Sequence, residues 1–186
     1  AVGAVYRNAD PSDIVVTAAG GLVGEVVQIW KPKQLNTFET EWGFSCMGYE
    51  ISGALGIKMA KPKQDIIVFV GDGSYLLANS DIYSSVLYDK KLIIVVCDNG
   101  GHMVINRLQL AKGGKEYICN LRAARATNLQ FVDFEAHAKS MGANAETVIS
   151  TSELEAAFLR AKKSDKTYVI SLKTDGYEWL DGSAFW

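Results

Sequence analysis

Ile66-Ile67-Val68-Phe69-Val70-Gly71-Asp72-Gly73-Ser74 and, further on, Leu92-Ile93-Ile94-Val95-Val96-Cys97-Asp98-Asn99-Gly100-Gly101 decide how this chain is read. Each is an apolar, β-branched run that stops abruptly at small and oxygen-bearing residues. Such runs predict strands of a parallel sheet, buried on both faces. Ligands of open α/β sheets bind outside the carboxyl ends of those strands. Between the runs, residues 79–89 read as a helix with Ile82, Val86 and Leu87 on one side, so Asp72 and Asn99 close adjacent strands of one βαβ unit although 27 positions separate them. Asp72 offers a carboxylate and Asn99 a carboxamide oxygen, while the glycines leave backbone groups uncovered. Hard oxygen donors suit Mg²⁺ or Ca²⁺, and Mg²⁺ takes few protein ligands when phosphates complete its shell. A Gly-Asp-Gly alone is most often a turn. Competing phosphate motifs fail, because a dinucleotide fingerprint starting at Gly71 meets Leu76 where its last glycine belongs, and no GK[ST] occurs.

The chain has 186 residues, enough for one domain with its own core. At 48% hydrophobic and 22% charged it has an ordinary globular composition. A net charge of −2 argues against a sequence-independent nucleic-acid binder, and no apolar run reaches membrane-spanning length. Cys46, Cys97 and Cys119 are odd in number and lack CxxC spacing, so free thiols in a cytoplasmic protein are expected. A zinc site is not expected, since His102 and His137 have no matching cysteine pairs.

Taken in order, residues 1–11 lack a clear period and read as an entry segment. Residues 13–19 predict a short buried strand ended by Gly20-Gly21, and Leu22, Val23, Val26, Val27 and Trp30 have helical spacing before Pro32. Residues 38–48 read as an apolar, glycine-containing loop. The helix after it repeats Gly48, Ser52 and Gly56 every four residues, a small-residue face open to close backbone approach. Residues 102–111 have helical character, and the irregular stretch from Lys112 to Asn128 is either a functional loop or locally mobile. Asp133 caps a helix that Gly142 ends. Residues 146–149 are a candidate strand, Ser152-Glu153-Leu154-Glu155 is a capping box, and residues 167–172 are the last strand. Alternating strands and helices predict an α/β fold, a doubly wound and mostly parallel sheet with helices on both faces.

Gly71-Asp72-Gly73-Ser74 together with Asp98-Asn99-Gly100-Gly101 resembles the signature of the thiamine diphosphate-dependent enzymes. The resemblance implies Mg²⁺ held by Asp72, Asn99 and the backbone oxygen of Gly101, gripping the diphosphate of thiamine diphosphate. It implies cofactor contacts at Gly71, Gly73 and Ser74, and at Gly20-Gly21, where the alternative is an ordinary left-handed turn. Gly43-Phe44-Ser45-Cys46-Met47-Gly48-Tyr49 is similar to the loop of the acetolactate synthase-like branch. There Met47 would wedge beneath the cofactor, with backbone groups of Ser45 and Met47 on the aminopyrimidine edge; the alternative for Met47 is a core position. His102 would face substrate as the catalytic proton-transfer group, or else face solvent; His137 reads as structural. Glu39, Glu41 and Glu50 are either solvated or help shape a polyol pocket.

Longer phrases, at residues 13–21, 36–50, 99–101 and 104–109 with Tyr177-Glu178-Trp179 and Phe185-Trp186, resemble a branch that hydrolyses a ring C–C bond of a cyclic polyol diketone in inositol catabolism. In this family an activating glutamate lies in a separate pyrimidine-binding domain, commonly of a partner subunit. Residues 1–186 are therefore expected to be the diphosphate half of a larger, homo-oligomeric enzyme. Alternatives are an acetolactate synthase-like carboligase or decarboxylase, a non-catalytic cofactor-binding module, and a flavodoxin-like phosphate receiver.

Overall fold

The computed structural model describes residues 1–41, 43–126, 128–178 and 180. In chain order the elements are α1 (Val2–Asn8), β1 (Ile14–Thr17), α2 (Gly21–Ile29), β2 (Phe38–Thr40), α3 (Tyr49–Ala60), β3 (Ile66–Gly71), α4 (Asp72–Leu77) and α5 (Asp81–Leu87). They continue with β4 (Ile93–Asp98), α6 (Met103–Ala111), a 3₁₀ turn (Leu121–Ala123), α7 (Phe134–Ser140), β5 (Asn144–Val148), α8 (Thr151–Lys163) and β6 (Tyr168–Lys173).

The strands form one six-stranded sheet in the order β2-β1-β3-β4-β6-β5, and every pairing is parallel. The side-chain period of two divides each central strand between two apolar layers. Ile67, Phe69, Ile93 and Val95 join Val5, Val26 and Phe158, from α1, α2 and α8, and Trp30, just after α2, on one face. Ile66, Val68, Val70, Ile94 and Val96 join Ile51, Tyr75, Ile82 and Phe134, from α3, α4, α5 and α7, on the other. Both faces are thus covered, which is why β3 and β4 carry no polar alternation. The sheet turns direction between β1 and β3, because β2 lies on one side of β1 and β3 on the other. A crevice opens at such a switch point beyond the strand ends.

Several expectations are corrected. Residues 1–11 contain α1, whose Val2 and Val5 are buried. Phe38–Thr40 is an edge strand rather than loop. The segment after Asp72 divides into α4 and α5, and Leu87 on α5 is exposed. The small-residue face of α3 is not continuous: Gly48 is buried against Ala78, whereas Ser52 and Gly56 are exposed. The capping box sits two residues earlier than expected, with the Ser150 hydroxyl accepting from the Glu153 amide and Glu153 Oε2 accepting from the Ile149 amide. Burial of Leu154 against the sheet sets that register. β5 is displaced likewise, to Asn144–Val148. Asp133 caps α7 as expected, accepting from the Ala136 amide. Trp42, Trp179 and Phe185-Trp186 lie outside the described residues. Among the described residues no helix is long and apolar enough to cross a membrane.

At the amino ends of the strands, Lys162 pairs with Asp10 and Asp13 at 2.7 Å and with Asp65 at 3.2 Å. This cluster ties the end of α8 to the starts of β1 and β3, at the edge opposite the crevice.

Candidate functional site

Gly71 pairs with Cys97 across β3 and β4, so the two chains leave the sheet side by side and Asp72 faces the loop that carries Asn99. Asp72 Oδ2 accepts the Gly101 amide at 2.7 Å. Asp72 is buried, and its carboxyl is pushed up to about 6, first by burial and then by the charge of Asp98. Lys173 pairs with Asp98 and does not reach Asp72. Beside it, Asn99 Oδ1 is buried with no hydrogen-bond partner. An unmade acceptor in a buried site costs about 1–3 kcal/mol, and here it adjoins a carboxylate whose charge is disfavoured. One carboxylate and one orphaned carboxamide oxygen are what a hard divalent cation satisfies.

A cavity of about 470 Å³ opens over these groups. Its walls include Gly20 and Gly21 from the end of β1, Ser45 and Met47, Gly71, Asp72, Gly73 and Ser74, and Asn99, Gly101 and His102. The residues nominated from the sequence for metal, cofactor and proton transfer therefore border one space. Backbone geometry explains the glycines. Gly20 has φ 77 and ψ −170, a conformation other than the left-handed turn and open chiefly to glycine. A Cβ on Gly71 would meet nothing within 4 Å, so the cavity floor there is bare backbone. On Gly73 it would lie 2.6 Å from the His102 ring and 3.4 Å from the Met47 methyl, so both side chains crowd over this glycine. His102 is exposed on the cavity side, whereas His137 accepts or donates at 2.9 Å to the buried Tyr75 hydroxyl and is structural.

Met47 is 40% exposed, which excludes the core position. Its loop is braced by Glu41, whose oxygens accept the Phe44 and Cys46 amides at 3.1 and 2.8 Å; these bonds hold the Glu41 carboxyl low. Ser45 takes φ 50, strained for a residue with a side chain. None of Glu39, Glu41 and Glu50 borders the cavity, and Glu50 is fully buried rather than solvated. The irregular stretch after α6 is tied down, with Leu121 donating to the Gly100 carbonyl at 2.9 Å and the His102 amide donating to the Cys119 carbonyl at 2.7 Å.

Sequence reasoning missed Glu25, Thr174, Asp175 and Glu178, which also line the cavity. Burial raises the Glu25 pKa. Its signal was a single carboxylate in the apolar run Leu22-Val23-Gly24-Glu25-Val26-Val27. The other three follow β6, where the strand-end rule points as well. Among the described lining residues there are four carboxylates and no lysine or arginine, so an anionic ligand here needs a cation or backbone amides to neutralise it.

Gly101 has φ 145, and a Cβ there would lie 2.2 Å from the Cys119 carbonyl oxygen. Gly101→Ala should cost about 2–4 kcal/mol through strain and overpacking. Gly100→Ala, at φ 81 but facing open space, should cost about 1 kcal/mol. Urea denaturation of the two variants checks the difference, and equal midpoints contradict it.

The model of the thiamine pyrophosphate enzyme C-terminal TPP binding domain matches residues 18–172. The chain belongs to that family. Relatives of this thiamine pyrophosphate-binding domain include proteins named 3D-(3,5/4)-trihydroxycyclohexane-1,2-dione hydrolase. The one from Halalkalibacterium halodurans is 38% identical over 180 residues, covering 94% of this chain and 28% of the relative. The one from Lacticaseibacillus casei is 39% identical over 192 residues, covering 100% of this chain and 29% of the relative. The chain therefore spans less than a third of the length of these relatives. The solved benzoylformate decarboxylase from Polynucleobacter necessarius superposes with a TM-score of 0.79 at 21% identity, over 96% of this chain and 33% of that one. At that identity the likeness speaks for the shared α/β fold.

Proposed function

We propose that this domain supplies the diphosphate and metal half of a thiamine diphosphate- and Mg²⁺-dependent hydrolase. The reaction is ring opening of 3D-(3,5/4)-trihydroxycyclohexane-1,2-dione to 5-deoxy-glucuronate in inositol catabolism. The observation that carries the site is the orphaned Asn99 Oδ1 beside the charge-disfavoured Asp72, at the mouth of two parallel strands. The substrate rests on the names of the relatives.

In this reading Asp72, Asn99 and the Gly101 carbonyl hold Mg²⁺, and the cation offsets a diphosphate that the acidic lining would otherwise repel. Gly20, Gly21, Gly71, Gly73 and Ser74 give the diphosphate a floor of small residues and amide donors. Met47 supports the cofactor from below, with Ser45 and Met47 backbone groups on its pyrimidine. When bound, thiamine diphosphate supplies a nucleophilic carbon and an electron sink for breaking a C–C bond beside a carbonyl. His102, over Gly73 and beside Met47, is placed to give a proton to, or take one from, a substrate oxygen. Phe44, 89% exposed on the Glu41-braced loop, is an anchor for a pyrimidine-binding domain of the same or another subunit of a homo-oligomer.

The test is release of the ring-opened deoxy acid from trihydroxycyclohexanedione by the full-length protein and by the 186-residue chain alone. Turnover by the full-length protein, dependent on cofactor and Mg²⁺, with a folded but inert isolated chain, is expected. Robust turnover by the isolated chain overturns the half-site reading. Conversion of pyruvate without ring opening moves the assignment to a carboligase or decarboxylase.

A further inference from the structure

Glu50 is the second residue of α3, is 0% exposed, and touches no part of the cavity surface. A buried carboxylate needs hydrogen-bond donors, and those of Glu50 come from separate segments. Oε2 accepts the Gly48 amide at 2.8 Å, and Oε1 accepts the Ala19 amide at 3.3 Å. The Ser74 hydroxyl also favours its charged form, although burial is the stronger influence and raises its pKa. Each partner is a cavity residue or the neighbour of one: Ala19 leads into Gly20, Gly48 follows Met47, and Ser74 follows Gly73. Gly48 is fixed in turn, at φ 96 with space for a Cβ closed by Ala78 at 2.5 Å. Three walls of the cavity therefore converge on one carboxylate behind them.

We propose that Glu50 is a positioning residue for the cofactor, its two oxygens locking the turn after β1 to the Met47 loop so that the diphosphate floor and the apolar support keep a fixed separation. The inference rests on the thiamine diphosphate reading above. Helix capping accounts for the Gly48 bond, because Gly48 precedes α3 and has no side chain of its own to cap it. It does not account for the Ala19 bond, made across 31 positions of sequence. Glutamine keeps the shape but turns one acceptor into a donor, so in Glu50→Gln only one of the two amides retains its partner.

The test uses the full-length protein and compares wild type, Glu50→Gln and Glu50→Asp. Hydrogen–deuterium exchange is read without cofactor; thiamine diphosphate affinity with Mg²⁺ and substrate KM are read alongside. In Glu50→Gln, exchange in residues 17–21 and in residues 45–49 should both accelerate about tenfold, with cofactor affinity about tenfold weaker. β3 and β4 should stay protected, and substrate KM should stay near the wild-type value. Glu50→Asp, which keeps both oxygens, should recover part of each loss, and it carries the same readouts if Glu50→Gln does not fold. Faster exchange confined to residues 48–52, with cofactor affinity unchanged, means a helix cap only and overturns the proposal. A wild-type protein that binds no thiamine diphosphate overturns the cofactor reading instead, so the two failures are distinct.

Discussion

Replacing Asp72 with alanine is expected to abolish Mg²⁺-dependent binding of thiamine diphosphate by the full-length protein, and Asn99→Ala to do nearly the same. In the proposed site both oxygens belong to one small shell, and Mg²⁺ dehydrates only for a near-complete set of well-placed ligands. Loss of supporting groups around a metal already costs about 10–100-fold, so loss of a ligand should cost at least about 100-fold. The cavity offers no fallback, because its described lining carries carboxylates and no lysine or arginine. Folding should survive. Asp72 is a buried carboxylate repelled by Asp98, and removing it relieves that repulsion while leaving the Gly101 amide to find water. Asp72→Asn keeps the shape and one acceptor for that amide and should lose binding as well, which separates charge from loop geometry. Calorimetric titration with cofactor in the presence and absence of Mg²⁺ reads all three variants. Undiminished affinity in both alanine variants contradicts the metal assignment.

The second large effect is expected at Met47. A core methionine truncated to alanine costs about 2–5 kcal/mol, but Met47 is 40% exposed and its methyl sits above Gly73 at the cavity wall. Met47→Ala should therefore change the melting temperature by no more than a few degrees. Turnover should fall about 10–100-fold, because a misplaced reactive group loses rate steeply with small displacements. Met47→Leu, apolar and of similar volume, should recover most of it. A stability loss large enough to account for the lost activity would return Met47 to a structural role.

The sheet was legible because β3 and β4 are buried on both faces, which leaves an unbroken apolar run that loops do not contain. The same burial made their ends conspicuous, so Asp72 and Asn99 followed from the strand-end rule, whereas Gly101 came only from the family resemblance. α1 was not legible, since seven residues with a glycine among them give no resolvable period. β2 was hidden because its three residues are all half-buried at a sheet edge, so neither alternation nor an apolar run develops. The register of α8 could not be chosen locally. Ser150 and Ser152 each stand three residues before a glutamate, and only packing of Leu154 decides between them. In the site, the role of Glu50 was invisible in sequence because its decisive partner, Ala19, is 31 positions away. Glu25 was not legible because one carboxylate within the apolar run 22–27 reads as the solvent face of α2, and only the fold turns it to the cavity.

Asp72, Asn99 and the Gly101 carbonyl are proposed to hold the cation that carries the diphosphate. Crystals of the full-length protein grown with thiamine diphosphate and Mn²⁺ in place of Mg²⁺ test it most directly, through the anomalous signal of the metal. One strong peak is expected within about 2.0–2.4 Å of Asp72, Asn99 and the Gly101 oxygen, with diphosphate oxygens completing the shell. A peak elsewhere in the cavity, or a bound diphosphate with no metal between Asp72 and Asn99, would contradict it.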